Sequence, residues 1–220
     1  MIKKEAFILT LPVMMGYLVL GVAFGLLLQN EGYHWLWASG ISLFVFAGSM
    51  QFVLVALLAQ QAPLITVAVT TLLVNSRHLF YGLSFIERFK KMGKRGLYMV
   101  FALTDETYAL LCARGAQADE SLIFSIALLN QSYWVAGSTL GALVGSYLTF
   151  NLEGIEFAMT ALFATIVVEQ WLTKKSRLPA LIGLFSAIVA LLWLGSDKFL
   201  LPALVFSVAA LLFMKRWEER

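Results

Sequence analysis

The stretch Leu97-Tyr-Met-Val-Phe-Ala-Leu-Thr-Asp105-Glu106-Thr-Tyr-Ala-Leu-Leu-Cys-Ala113 decides how the chain is read. Its 17 residues, 97–113, carry two acids at the centre of an otherwise apolar run. An apolar helix needs about 20 residues to cross a bilayer. A charge in the hydrocarbon layer costs on the order of several kcal/mol, so such residues serve a pathway or a partner. The segment is therefore read as a broken or re-entrant element, because irregular backbone is tolerated at membrane depth only where protein or a cavity shields it. Adjacent acids point about 100° apart on a helix, so Asp105 and Glu106 have different partners. The bland alternative is a solvent-exposed hairpin tip, where both are ordinary loop residues.

Working outward, apolar runs occupy 6–28, 35–59, 63–86, 97–113, 122–148, 155–172, 178–195 and 199–214. Of 220 residues, 60% are hydrophobic and 13% charged, with a mean hydropathy of +0.84. A soluble domain carries roughly a quarter charged residues. The expected fold is all-α: a polytopic transmembrane helix bundle of seven or eight apolar segments in one membrane domain. Lys3 and Lys4 before the first run resemble a signal peptide, but the run is long and lacks a clear cleavage site, so a retained helix is expected. Cys112 is the one cysteine, which excludes an intramolecular disulfide or a cysteine metal cluster.

Lys and Arg cluster at Lys3 and Lys4, in 88–95, at Arg114, in 174–177 and at Lys215, Arg216 and Arg220. If every run crossed once, the 88–95 cluster and the tail would lie on opposite sides, against the positive-inside rule. Without a net crossing by 97–113, all clusters from Arg88 onward share the cytoplasmic side and Lys198 lies outside. Placing Lys3 and Lys4 inside as well requires a second irregular element among the first three runs. Topology explains these basic residues, so no nucleic-acid binding is expected.

A weak repeat runs through the chain. Tyr17-Leu-Val-Leu-Gly21-Val-Ala-Phe-Gly25 aligns with Tyr133-Trp-Val-Ala-Gly137-Ser-Thr-Leu-Gly141 at an offset of 116. Pro63 matches Pro179 at the same offset, and Phe46-Ala47 matches Phe163-Ala164 at 117. Duplicated halves near 1–113 and 114–220 are expected, with a substrate site between them, as in many secondary transporters. Gly21 and Gly25, and Gly137, Gly141 and Gly145, recur every four residues along a helix face. Close helix packing explains this spacing; a narrow path lining is the alternative.

Two further polar groups sit at membrane depth. In Asn75-Ser76-Arg77-His78, the arginine suits bidentate pairing with a carboxylate and the histidine can carry a proton near neutral pH. The competing reading has Arg77 neutralise Asp105 or Glu106 to hold helices together. Gly48-Ser49-Met50-Gln51 and Asn130-Gln131-Ser132 can unwind a helix and offer groups to a zwitterion, or simply bond between helices. Glu169, near a span end, is expected to snorkel, and Glu31 and His34 lie in a short loop. No HExxH, GxSxG or Walker pattern occurs, so no enzyme, cofactor or metal site is expected.

Four motifs, in order, resemble the AzlC family: Phe46-Ala-Gly-Ser-Met-Gln-Phe52, Asn75-Ser-Arg-His-Leu-Phe-Tyr-Gly82, Thr104-Asp-Glu-Thr-Tyr108 and Gln131-Ser-Tyr-Trp134 followed by Gly137. The resemblance covers about 6–172. It implies the large subunit of a bacterial plasma-membrane exporter of valine, leucine, isoleucine and methionine, coupled to the proton motive force, with a small hydrophobic AzlD-type partner. Combined with the residues, it leads to a working scheme. Arg77 or a broken-helix N-terminus holds the substrate carboxylate, and Asp105 or Glu106 meets its ammonium group. Phe46, Met50 and Phe80 form an apolar wall, with Asn75, Ser49, Gln51, Asn130 and Gln131 as further polar contacts. His78, Asp105 or Glu106 carries the coupling proton. A channel and a structural subunit with buried charge pairs are the rival readings.

Overall fold

A computed structural model of the chain describes residues 4–114, 119–147, 156–173, 177–195 and 199–218, with some side chains inside the helices left out. Every element among them is an α-helix: α1 Lys4–Asn30, α2 Trp35–Phe44, α3 Gly48–Ala59, α4 Leu64–Lys91, α5 Lys94–Phe101, α6 Asp105–Arg114, α7 Glu120–Tyr147, α8 Glu156–Thr173, α9 Leu178–Leu194 and α10 Leu200–Glu218. The chain forms two compact units, Met1–Gln60 with Asn75–Met159, and Gln61–Val74 with Thr160–Arg220.

In the first unit, α1 and α7 make the central pair. α1 is apolar on every side. Tyr17, Gly21, Phe24 and Leu28 are buried on one face, while Ile8, Leu11, Met15 and Val19 are exposed on the opposite face. A helix that is apolar all round belongs in a large core or in lipid. Among the described residues, α1 is the helix both long and apolar enough to span a bilayer; α2, α3, α9 and the first part of α4 are apolar but shorter. α7 has the length but buries Asn130, Gln131 and Ser138 along its inner face. Its polarity is thus turned into the protein.

The glycines explain how the pair closes. A Cβ on Gly21 would lie 3.0 Å from the Ser138 amide nitrogen, and one on Gly137 would lie 2.9 Å from the Leu18 carbonyl oxygen. On Gly25 it would strike the Ser138 carbonyl, and on Gly141 that of Val22. Every obstacle is backbone, so none can step aside. Without a hydrophobic drive between helices in lipid, such approach supplies van der Waals contact instead. The packing reading of the glycine spacing holds for these four. Above the crossing, Trp134 of α7 lies among Phe24 of α1 and Phe52 of α3, with ring centroids 6.4 and 6.5 Å away.

Two apolar runs are each split in two. The run 35–59 is broken at Val45, Phe46 and Ala47, between α2 and α3. The run 97–113 is broken at 102–104, between α5 and α6. At about 1.5 Å per residue, none of these four helices reaches the roughly 30 Å of a hydrocarbon core. The broken element expected around Asp105 is present, and so is a second irregular element among the first three runs.

In the second unit, α9 packs on α10. Pro179 stands in the first turn of α9, and Gly195 follows its last residue at φ +73°. This is the usual proline-first, glycine-last punctuation of a helix. Ser186 and Ala190 are buried, whereas Leu181, Leu184, Phe185, Ile188, Leu192 and Trp193 are exposed. Such a continuous apolar surface fits a bilayer and not water.

Candidate functional site

The break between α2 and α3 is held by amides. Phe46 adopts φ +42°, a left-handed conformation that a bulky residue reaches only when its surroundings impose it. Gln51, fully buried, accepts from the Ala47 backbone N–H at 3.2 Å and from Trp134 Nε1 at 2.9 Å through Oε1. Its Nε2 donates to Ser42 Oγ at 3.1 Å. From α7, Gln131 Nε2 donates to the Leu43 carbonyl at 2.9 Å, and its Oε1 accepts from Tyr98 at 2.7 Å. The two amides thus cap the carbonyl end of α2 and the amide end of α3. Expected as substrate contacts, both are occupied in holding the chain.

Hydroxyls and acids hold the second break. Thr104 caps α6, its Oγ1 accepting the Thr107 backbone N–H at 3.4 Å; a threonine at this position satisfies an otherwise orphaned donor. Asp105 and Glu106 occupy the first turn, where carboxylates favour the positive end of the helix dipole. Both acids are half-buried and their neighbours Thr104 and Thr107 are buried, so the solvent-exposed hairpin tip does not form. Glu106 finds a partner on α1: the Tyr17 hydroxyl donates to Oε2 at 2.5 Å and lies 2.8 Å from Thr104 Oγ1. Thr104 donates to Thr107 Oγ1 at 3.1 Å, and Asn130 Nδ2 donates to the same oxygen at 3.0 Å. Asn130 is fully buried, and its carbonyl Oδ1 has no hydrogen-bond partner among the described residues.

Tyr17 joins the two breaks. Its ring meets Phe46 edge-on at 6.5 Å and Trp134 at 5.3 Å, while its hydroxyl serves the α6 side. Phe46 also lies 6.3 Å from Phe101, the last residue of α5. The ends of four half-length helices therefore converge around one tyrosine. The first turn of α3 is Gly48, Ser49 and Met50, with no acid, so its dipole end suits an anion; the acids of α6 suit a cation. Ser49 is half-buried, and Met50 and Phe46 are buried.

Asn75 and His78 lie on α4. His78 Nδ1 is 3.1 Å from the Asn75 carbonyl oxygen, and its ring meets Tyr81 at 5.7 Å. Tyr81 stacks on Tyr108 at 4.3 Å, so this part of α4 reaches α6 through aromatic rings. The Asn75 Oδ1 atom is buried without a hydrogen bond among the described residues. The side chains of Arg77, Phe80 and Glu169 lie outside the described residues. Sequence reasoning missed Tyr17 and Trp134 as site residues, having read them only in the repeat and in the family motif. The available signal was a phenol and an indole N–H in apolar runs, since such groups find partners when buried.

Comparisons with known proteins place this geometry. The family model described as AzlC protein matches residues 12–148. The branched-chain amino acid transport protein AzlC of Bacillus subtilis is 36% identical over 99% of this chain and 87% of its own length. A Helicobacter pylori membrane protein is 43% identical over 98% of this chain and 96% of its own. The inner membrane protein YgaZ of Escherichia coli is 32% identical over 83% of this chain and 82% of its own. No solved structure matches the chain. With a family match over more than half its length and full-length relatives above 30% identity, this is a transmembrane protein of the bacterial inner membrane and a member of the AzlC family of transport proteins.

Proposed function

We propose that the chain exports the branched-chain amino acids valine, leucine and isoleucine, and with them the unbranched methionine, at the expense of the proton motive force. It acts as the large subunit beside a small hydrophobic partner of the AzlD type. The observation that carries this reading is the convergence of two broken helices on Tyr17, with an acid-free N-terminus on one and two carboxyl groups on the other. Broken helices that aim half-helix ends at a substrate are the transporter solution to holding polar groups at membrane depth. The N–H groups of 48–50, or Arg77, take the substrate carboxylate; Asp105 or Glu106 takes its ammonium group. Phe46, Met50 and Phe80 supply the apolar wall for a branched side chain. Asn75, Ser49 and Asn130 offer polar contacts, while Gln51 and Gln131 keep the framework open. Glu106, with Asp105 and His78 as alternates, carries the coupling proton.

The facing glycines also support duplicated halves near 1–113 and 114–220, because Gly21 and Gly25 lie against the backbone around their sequence matches, Gly137 and Gly141. The test is efflux of labelled valine from proteoliposomes under an imposed pH gradient, with and without the small partner. Gradient-driven efflux that needs both subunits is expected, and Arg77→Ala should abolish it at normal membrane abundance. Full efflux by that variant removes the arginine from the site, and efflux indifferent to the gradient ends proton coupling.

A further inference from the structure

The corner between α4 and α5 carries charge that the export scheme does not use. Lys90 and Lys91 end α4, Lys94 and Arg95 begin α5, and all four are exposed. Glu87 is the one acid in 87–101. It approaches Lys90 to 3.7 Å, with side chains 84% and 72% exposed. A pair so open to water hardly offsets the lysine. On α7, Asp119 accepts the Ser121 N–H at 3.4 Å and Glu120 stands in the first turn, so both acids answer the positive end of their own helix. Arg95 is set over the Phe124 ring at 5.4 Å, which orients its charge without cancelling it.

Each helix lays an apolar stripe up to these charges. On α4, Leu83, Ile86 and Lys90 recur at three and four residues and are exposed along one face. On α5, Lys94, Leu97 and Phe101 do the same, while Gly96 and Met99 are buried. The corner itself is tightly closed. Gly93 turns at φ +55°, Phe89 and Met92 are buried, and a Cβ on Gly96 would strike the Phe89 carbonyl. Each stripe is about 10 Å long, within the roughly 15 Å of one leaflet. A surface apolar over that depth and cationic at its end matches a lipid with an anionic head; a free anion would leave the stripes unused. We infer that the α4–α5 corner binds an anionic phospholipid. Its phosphate lies among Lys90, Lys91, Lys94 and Arg95, and its acyl chains lie along the stripes of Leu83 and Leu97. The lipid steadies the charged end of α5, whose last residue, Phe101, reaches Phe46 at the first helix break. Such a site is independent of which solute the chain transports.

The test is binding of labelled phosphatidylglycerol to the full chain in detergent, displaced by unlabelled lipids. Even one Lys or Arg near an anionic head favours it about fivefold, so phosphatidylglycerol should displace the label at least about fivefold better than zwitterionic phosphatidylcholine. Both lipids are compared on one sample, so the ratio does not depend on how much of a variant is recovered. Lys90→Gln, Lys91→Gln, Lys94→Gln and Arg95→Gln combined should abolish the preference. Lys90→Arg, Lys91→Arg and Lys94→Arg combined should keep it, as should Lys215→Gln with Arg216→Gln at the other end of the chain. An unchanged preference in the fourfold glutamine variant overturns the site. So does displacement by glycerol phosphate as effective as by phosphatidylglycerol, which would make the corner a plain anion site. Release of the lipid by an excess of the small partner subunit would assign the corner to a protein interface instead.

Discussion

The two helix breaks of this protein lie side by side and are built from different chemistry. At Val45, Phe46 and Ala47 the loose backbone ends are closed by Gln51 and Gln131, groups whose charge is the same at every physiological pH. At 102–104 they are closed by Thr104, and the helix beyond begins with Asp105 and Glu106. The first break is a fixed joint. The second can change its charge, and with it the pattern of its hydrogen bonds. A buried amide holds both its donor and its acceptor in place, whereas a carboxyl group is rewired by one proton. On the export scheme proposed above, the amide-built half-helix end stays constant for the substrate while the acid-bearing end responds to the proton.

Both breaks hang on the α1–α7 pair, so the comparison can be broken outright by separating those helices. Gly141→Leu puts a side chain where even a Cβ meets the Val22 carbonyl. The expected result is loss of about 3 kcal/mol or more, seen as collapse of the thermal transition and of membrane abundance. Parental abundance of this variant would show that the close crossing carries no stability.

The next largest effect separates the two breaks from each other. Gln51→Leu strands the Ala47 N–H and the Trp134 indole N–H and deprives Ser42 of a donor. Leaving buried polar groups unpaired costs about 1–3 kcal/mol each, so stability and transport should fall together. Glu106→Gln keeps an oxygen that can accept from Tyr17 and should retain membrane abundance while losing pH-dependent export. If the two variants behave alike in a melt, the contrast between a fixed and a chargeable joint is wrong.

Much of this contrast was legible in the residues. Asp105 and Glu106 in a run too short to cross announced the second break, because charge at membrane depth demands a reason. The first break was signalled by Gly48-Ser49-Met50-Gln51, small and amide residues able to unwind a helix, and by the need for a second irregular element to place Lys3 and Lys4 on the cytoplasmic side. Phe46 gives no sign of its left-handed backbone, and one of the contacts that close this break, from Gln131 to the Leu43 carbonyl, comes from 88 positions away. The glycine spacing foretold close packing, yet not which helix would be met. Tyr17 was hidden for the same reason: its partners Thr104 and Glu106 lie 87 and 89 positions away, and no local pattern encodes them.

A smaller effect sharpens the second break. Thr104→Ala removes the cap on the Thr107 N–H and should cost about 1 kcal/mol in thermal stability. Thr104→Ser should recover most of it, as serine caps equally well. A neutral Thr104→Ala would mean that the first turn of α6 is satisfied without its cap.

The weakest contact tests where the chargeable region ends. Glu5 of α1 and Arg114, the last residue of α6, approach to 3.2 Å, with side chains 54% and 40% exposed. Exposed ion pairs contribute about 0.2–1 kcal/mol, because water screens the attraction and two long side chains must be ordered to make it. Arg114→Ala should therefore change the melting transition by less than about 0.5 kcal/mol and leave the pH profile of export untouched. Arg114 stands at the carbonyl end of α6, whereas the chemistry assigned to the proton sits at its amide end. A pH midpoint displaced by Arg114→Ala would place part of the proton's electrostatic environment at the wrong end of that helix, and would move the titrating group away from Glu106 and towards the Glu5–Arg114 pair.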